Sequence, residues 1–265
     1  MKIGFVGGGA LAESIIKGIV GKIVETEDVY VSERYETRRK ELEQHYKVNT
    51  FDSVDSFISN IDLLIIAVKP NDADAAMKEI CSKVDTKTIV VYTVAGLELA
   101  KVEKYFKEHC VIRIMPNVAI SVGEGMNVFT TGKNVTDAAV KTVREFFSTL
   151  GRCIEVEERL MDAVTGLSGS GPAYAFLMID ALSDGGVAVG LPRAKAIELA
   201  AQTLLGAAKM VLESGEHPDV LRDKVTSPAG TTIEGVRVLE SCGVRSALIE
   251  AVIAATEKSG SMRNS

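Results

Sequence analysis

Three observations predict the fold class: a glycine-rich turn directly behind the first apolar run, short β-branched runs alternating with amphipathic stretches up to about Val156, and the loss of that alternation from about Arg159. They describe an α/β, Rossmann-like N-terminal domain over 1–158 followed by an all-α C-terminal dimerisation domain over 159–265. A chain of 265 residues suits two domains of ordinary size.

Strands are expected at Lys2 to Val6, Val29 to Ser32, Leu63 to Val68, Thr88 to Val94 and Val111 to Met115. Their continuous Val/Ile/Leu character reads as a parallel sheet covered on both faces. Helix-length segments lie between them, at Leu11 to Val20, Tyr35 to Tyr46, Ala73 to Lys83 and Leu99 to Phe106. Met126 to Thr131 is a further strand. Thr136 then caps a helix to Leu150, whose apolar positions Val140, Val143, Phe147 and Leu150 recur at three and four residues before Gly151 stops it. In the second half the helical segments are Met161 to Val189, Pro192 to Glu213, Pro218 to Val225, Thr231 to Ser241 and Val244 to Lys258, with Pro192 and Pro218 in first turns and a frayed end at Ser259 to Ser265. Several of these helices, Ala194 to Leu212 and Ala247 to Ala255 among them, lack a clearly polar side. They need other helices around them, which predicts a homodimer built by this half.

With 46% hydrophobic and 25% charged residues the chain sits among folded globular proteins. Thirty Lys and Arg against 36 Asp and Glu leave a net charge of −6 with no basic stripe, which disfavours a nucleic-acid partner. The local cluster Arg34, Arg38, Arg39 and Lys40 alternates with Glu33, Glu36 and Glu41 and reads as a solvated helix face. Cys81, Cys110, Cys153 and Cys242 are far apart and have no His at ligand spacing, so no metal site and no disulfide framework is indicated. The opening residues lack a signal-peptide pattern, and no run reaches the roughly 18 apolar residues of a membrane span. The expected setting is the cytoplasm.

Gly7-Gly8-Gly9-Ala10-Leu11-Ala12 fits G-x-G-x-x-A between a strand and a helix, the context a dinucleotide site requires. Gly7 permits the tight turn, Gly9 lets a pyrophosphate approach the backbone, Ala12 lets helix and strand pack closely, and the helix N-terminus attracts the anion. About 20 residues on, where such folds choose their ribose contact, stand Ser32, Glu33 and Arg34. Glu33 suits the ribose 2′-hydroxyl of NAD(H), whereas Ser32 and Arg34 suit the 2′-phosphate of NADP(H). Two groups of three favour NADP(H), and NAD(H) is the alternative. Val68-Lys69-Pro70 and Ala95-Gly96 fall outside the carboxyl ends of the next strands and should face nicotinamide and its ribose, although Lys69 also reads as a solvated charge.

Gly166-Leu167-Ser168-Gly169-Ser170-Gly171-Pro172-Ala173-Tyr174 sets three glycines in a helical region, each costing about 1 kcal/mol against alanine. Either backbones approach closely there, or Ser168 and Ser170 face a small polar substrate. Ser227-Pro228-Ala229-Gly230-Thr231-Thr232 precedes another helix and reads as an anion site suited to a carboxylate, or as ordinary capping by Thr231 or Ser227. His45, His109 and His217 lie apart from these segments, so no catalytic histidine is evident.

In this order the motifs resemble the pyrroline-5-carboxylate reductase family along essentially the whole chain. The match rests on the glycine turn, Val68-Lys69-Pro70, Arg113-Ile114-Met115-Pro116-Asn117, Gly166 to Tyr174, and Val225 to Thr232 running on to Leu239-Glu240. The resemblance implies hydride transfer from NAD(P)H to a cyclic imine, a helical domain that interlocks with its partner, and larger rings of dimers. It places Ser32, the Lys69 and Ala95 loops and Asn117 with the cofactor. The Gly230-Thr231-Thr232 backbone and the Thr232 hydroxyl go with the substrate, together with Ser168, Ser170 and Ser227. Thr232 is the candidate catalytic group, hydrogen-bonding the imine nitrogen. The chain departs from the family pattern at Ala229, where glycine is common, at Asp52, where many members have Asn, and at Lys224, where Asn also occurs. Two other readings compete. One is a β-hydroxyacid dehydrogenase using a lysine such as Lys195 or Lys209, and the other is a dinucleotide sensor without turnover.

Overall fold

The computed structural model describes residues 1–262. Over these, eight strands form one sheet in the order β3-β2-β1-β4-β5-β6-β7-β8, with β1 Ile3–Val6, β2 Val29–Ser32, β3 Asn49–Phe51, β4 Leu63–Ile66, β5 Ile89–Tyr92, β6 Val111–Met115, β7 Gly125–Thr131 and β8 Gly151–Glu155. The helices joining them are α1 Ala10–Ile19, α2 Glu36–Tyr46, α3 Pro70–Ile80, α4 Leu99–Val102 and α5 Asp137–Ser148. The α/β Rossmann-like half expected from the sequence is present, and strand order reverses between β1 and β4, which opens a crevice beyond their carboxyl ends.

The strands read as continuous apolar runs because alternate residues enter different cores. Ile3, Phe5, Leu63, Ile65, Val91, Ile112 and Ile114 point into one, with Ile15, Ile16 and Phe147. Val6, Leu64, Ile66, Val90 and Tyr92 point into the other, with Met77, Ile80 and Val102. The sheet is not wholly parallel as expected. β7 runs antiparallel to β6 and parallel to β8, because the link from Met115 to Gly125 holds only a 3-10 turn, Val118–Val122, and is too short for a parallel crossover. β3 and β8 were not expected. Both lie at sheet edges, and half-buried Asn49-Thr50-Phe51 and mixed Gly151-Arg152-Cys153-Ile154-Glu155 carry no apolar run. The helix expected over Leu99 to Phe106 stops after one turn at Val102.

The second half is helical, as expected: α6 Met161–Val164, α7 Gly171–Ala188, α8 Arg193–Ser214, α9 Pro218–Lys224, α10 Thr231–Ser241 and α11 Val244–Ser261. The single helix expected over Met161 to Val189 is interrupted by a π turn at Thr165–Gly169, where the glycines fall. Pro218 opens α9 at its first turn, whereas Pro192 sits one position earlier, as the N-cap of α8. Fraying from Ser259 is corrected. The Ser259 side chain is buried and its Oγ donates to Asp162 Oδ1 at 2.8 Å, while 263–265 lie outside the described residues. Among the described residues no helix is long and apolar enough to cross a membrane.

The chain divides into two compact units, one of 1–170 with the chain from Ala254 onward and the other of Gly171–Ile253. The first contains both sheet cores. In the second only Ser183, Ala196 and Ala200 are buried, while Phe176 and Leu177 remain 63% and 70% exposed. A unit of this size with so little interior leaves its apolar side chains in need of cover.

Candidate functional site

At the crevice Gly7 has φ +95°, and a Cβ there would stand 2.7 Å from the Ala67 carbonyl oxygen, so only glycine fits. Its N–H donates to Ser32 O at 2.9 Å, tying the turn to the end of β2. Around Gly9 the reverse holds: nothing lies within 4 Å of the Cβ it lacks. Gly9 starts α1 without a side-chain cap, and the N–H groups of Ala10, Leu11 and Ala12 have no intrahelical partner. Open space beside an uncapped helix start fits the pyrophosphate of a dinucleotide. Ala12 itself is fully buried against the sheet.

The turn is held from both sides. Glu33 Oε2 accepts the Gly8 N–H at 2.9 Å and its Oε1 accepts the Tyr35 N–H at 3.0 Å. Arg38 Nε donates to Gly8 O at 2.8 Å, while its terminal nitrogens reach Glu13 at 2.6 Å and Glu41 at 2.9 Å. The Arg38 hydrogen bond holds the Glu13 carboxyl below its ordinary range, against the opposing effect of burial. Arg39 donates to Glu33 O at 2.7 Å. Arg38 and Arg39 are therefore not the solvated face that charge alternation suggested; they fix backbone.

A crevice of about 630 Å³ brings together Gly7, Gly9, Ser32, Glu33, Arg34, Val68 and Lys69, with Asp52 and Asp72 also in its wall. Arg34 is 64% exposed, lies 3.5 Å from Asp72 and covers the Tyr35 ring at 4.9 Å. Pro70 begins α3 and, with Ala95 and Gly96, lines a second cavity of about 610 Å³. Gly96 adopts φ +71°, and the Tyr92 hydroxyl donates to Leu97 O at 3.1 Å just beyond it. Burial pushes the Tyr92 phenol far up, which keeps it a neutral donor.

Asn117 is committed within the protein. Its Oδ1 accepts from Ala119 N at 3.2 Å and Met126 N at 3.3 Å, and its Nδ2 donates to Ser168 O at 3.0 Å. It thus ties the end of β6 to the π turn, where Ser168 Oγ donates to Val164 O at 3.1 Å and Ser170 N to Thr165 O at 2.9 Å.

In the second unit, Ser227 to Gly230 form a turn closed by Gly230 N to Ser227 O at 3.0 Å, with Pro228 followed by Ala229 at φ +56°. This is the pattern of a type II turn, which favours glycine at the third position. Ala229 therefore carries left-handed backbone at a position that favours glycine. A side chain on Gly230 would place its Cβ 2.3 Å from Ser227 Oγ. Capping by Thr231 or Ser227 is overturned: Gly230 is the N-cap of α10 and no side chain caps it. The N–H groups of Thr231, Thr232 and Ile233 are left without intrahelical partners, and the Thr231 and Thr232 side chains are exposed. An uncapped helix start with two hydroxyls suits a carboxylate.

Two of the three histidines hold or face backbone. His217 Nδ1 accepts Asp219 N at 3.2 Å to cap α9, and His109 is buried with Nε2 3.4 Å from Val84 O. The supports are side chains whose contacts no motif marks: Arg38 behind the glycine turn, Tyr92 behind the Gly96 loop, and Arg113 with Glu158, 3.7 Å apart, behind Leu99. Arg113 stood inside a quoted motif, but nothing local announced its contact.

Residues 158–262 match the family model described as pyrroline-5-carboxylate reductase dimerisation. Residues 2–96 match the one described as NADP oxidoreductase, coenzyme F420-dependent. The pyrroline-5-carboxylate reductase of Synechocystis is 43% identical over 260 residues, 98% of this chain and 97% of that protein. That of Arabidopsis thaliana is 41% identical over 265 residues, 100% of this chain and 96% of that protein. Among solved structures, the Plasmodium falciparum pyrroline carboxylate reductase with NADP bound aligns at a TM-score of 0.90 and 30% identity, covering 99% of this chain and 98% of that one. With that identity sustained end to end, the chain belongs to the pyrroline-5-carboxylate reductase family.

Proposed function

We propose that this chain reduces 1-pyrroline-5-carboxylate to L-proline, the last step of proline biosynthesis, as an NAD(P)-dependent oxidoreductase. The observation that carries the reading is the uncapped start of α10 at Gly230, Thr231 and Thr232, beyond a turn that only small residues allow. When bound, the reduced nicotinamide supplies a hydride to the imine carbon. The backbone N–H groups of Thr231 and Thr232 hold the substrate carboxylate, with Ser227 shaping the turn. The Thr232 hydroxyl donates a hydrogen bond to the imine nitrogen, which takes up one proton from solvent water as the carbon takes the hydride. Ser168 and Ser170 present the polar side of the π turn to the substrate. Positioning does most of the work, which agrees with histidines engaged elsewhere. Lys195 and Lys209, the lysines a hydroxyacid dehydrogenase would call on, pair with Glu198 and Glu213 on exposed helix faces.

Gly7 to Ala12, Val68 to Pro70 and Ala95-Gly96 receive the cofactor, with Asn117 holding the loop behind its nicotinamide end. NADP(H) is favoured over NAD(H), because both Glu33 oxygens are engaged by backbone N–H groups while Ser32 and Arg34 line the crevice. The active form is a homodimer built by the helical half, 159–265, on the Rossmann-like half, 1–158, with rings of dimers as the larger assembly. The four cysteines are free thiols, which suits a cytoplasmic setting.

Thr232→Ala tests the assignment. Loss of a hydrogen bond to a developing charge lowers kcat/KM for the imine by about 10- to 100-fold, with NADPH affinity unchanged. Wild-type kinetics in the variant would remove Thr232 from the site.

A further inference from the structure

The loop carrying Ala95 and Gly96 is fastened from behind by side chains that do not line the cavity it faces. Arg113, on β6, is 3% exposed, and its Nη1 lies 3.7 Å from Glu158 Oε1. The same carboxylate oxygen accepts the Leu99 N–H at 2.6 Å, across 59 residues of sequence. Tyr92 holds Leu97 O two residues earlier. The segment that turns through Gly96 at φ +71° is thus pinned at Leu97 and again at Leu99. Glu158 is also the first residue of the stretch matching the dimerisation model.

We propose that Glu158, oriented by buried Arg113, is a positioning residue for hydride transfer: it sets the Ala95-Gly96 loop, and through it the nicotinamide ring. The proposal rests on the cofactor reading above. Glu158 joins a buried arginine to the first N–H of α4, directly behind the loop read above as facing the ring. A ring displaced by a fraction of an ångström from its attack geometry transfers hydride more slowly without releasing the rest of the cofactor.

The test compares wild type with Glu158→Gln, which keeps an oxygen for Leu99 N–H but loses the charge facing Arg113, and with the double variant Arg113→Met, Glu158→Leu. The double variant removes both charges together, leaving no buried guanidinium behind, and so remains informative if the single variant does not fold. Two readouts are taken: kcat with NADPH and pyrroline-5-carboxylate, and the Kd of 2′-phospho-ADP-ribose, which lacks the nicotinamide, by calorimetry. The expected result is a kcat lowered about 10-fold or more, with 2′-phospho-ADP-ribose affinity within about twofold of wild type. Unchanged kcat in a folded variant overturns the proposal. So does an equal loss of 2′-phospho-ADP-ribose binding, because the pair would then support the whole crevice rather than the ring. A wild-type protein that binds NADPH but does not turn over would instead refute the parent reading.

Discussion

Cofactor choice is set by a small number of charges, and Arg34 with Asp72 allows the size of their effect to be worked out. If Arg34 meets the 2′-phosphate, Arg34→Ala removes a charge-assisted contact of about 1.5–3 kcal/mol. Arg34 is 64% exposed, so screening brings this to the lower end, about 1.5 kcal/mol or tenfold in NADPH affinity. Asp72 lies 3.5 Å from the same guanidinium and competes with the phosphate for it. Asp72→Asn removes the competitor, and a surface pair of about 0.2–1 kcal/mol corresponds to NADPH binding up to about fivefold tighter. Affinity for NADH stays unchanged in both variants, since that cofactor has no 2′-phosphate, and both shifts shrink as salt is raised. Fluorescence titration of the two reduced cofactors at two ionic strengths measures all of this. Parallel changes in NADPH and NADH affinity, or no change in either, would refute the assignment of Arg34 to the phosphate.

Leu177→Arg is expected to weaken the proposed homodimer. Leu177 is 70% exposed in the single chain, so covering it contributes about 1–2 kcal/mol, counted twice by two-fold symmetry, and its loss raises the dimer Kd by about 30-fold or more. Size-exclusion chromatography with light scattering checks this; a variant as dimeric as wild type at low concentration would show that α7 is not at the interface. Stability against pH carries a signature of Glu13, whose carboxyl is held below its ordinary value by Arg38. A lowered folded value means that the pair's contribution is complete above the ordinary carboxylate range and lost as pH falls through the folded value. Glu13→Gln flattens that part of the acid limb in thermal melts, and an identical acid limb would contradict the pairing.

The sequence displayed the parts of this fold whose cause is local. Continuous apolar runs such as Leu63–Ile66 and Val111–Met115 mark strands covered on both faces, and Gly7 marks a turn that no other residue can make. Edge strands escaped because one face is solvated and Asn49–Phe51 is only three residues long. The direction of β7 is decided by the length of the link before it, not by its own residues. The uncapped start of α10 was legible as a cluster of small and hydroxyl residues, yet its N-cap residue was not: Gly230, rather than Ser227 or Thr231, begins the helix. Least legible were the supports. Arg38 to Gly8 and Glu158 to Leu99 join residues 30 and 59 positions apart, and no periodicity marks such pairs. Charge alternation even disguised Arg38 as a surface residue.

Purified protein should oxidise NADPH in the presence of 1-pyrroline-5-carboxylate, forming one L-proline per NADPH consumed, with NADH supporting the same conversion less efficiently. Measurable NADPH binding with no substrate-dependent oxidation and no proline would contradict the proposed reaction.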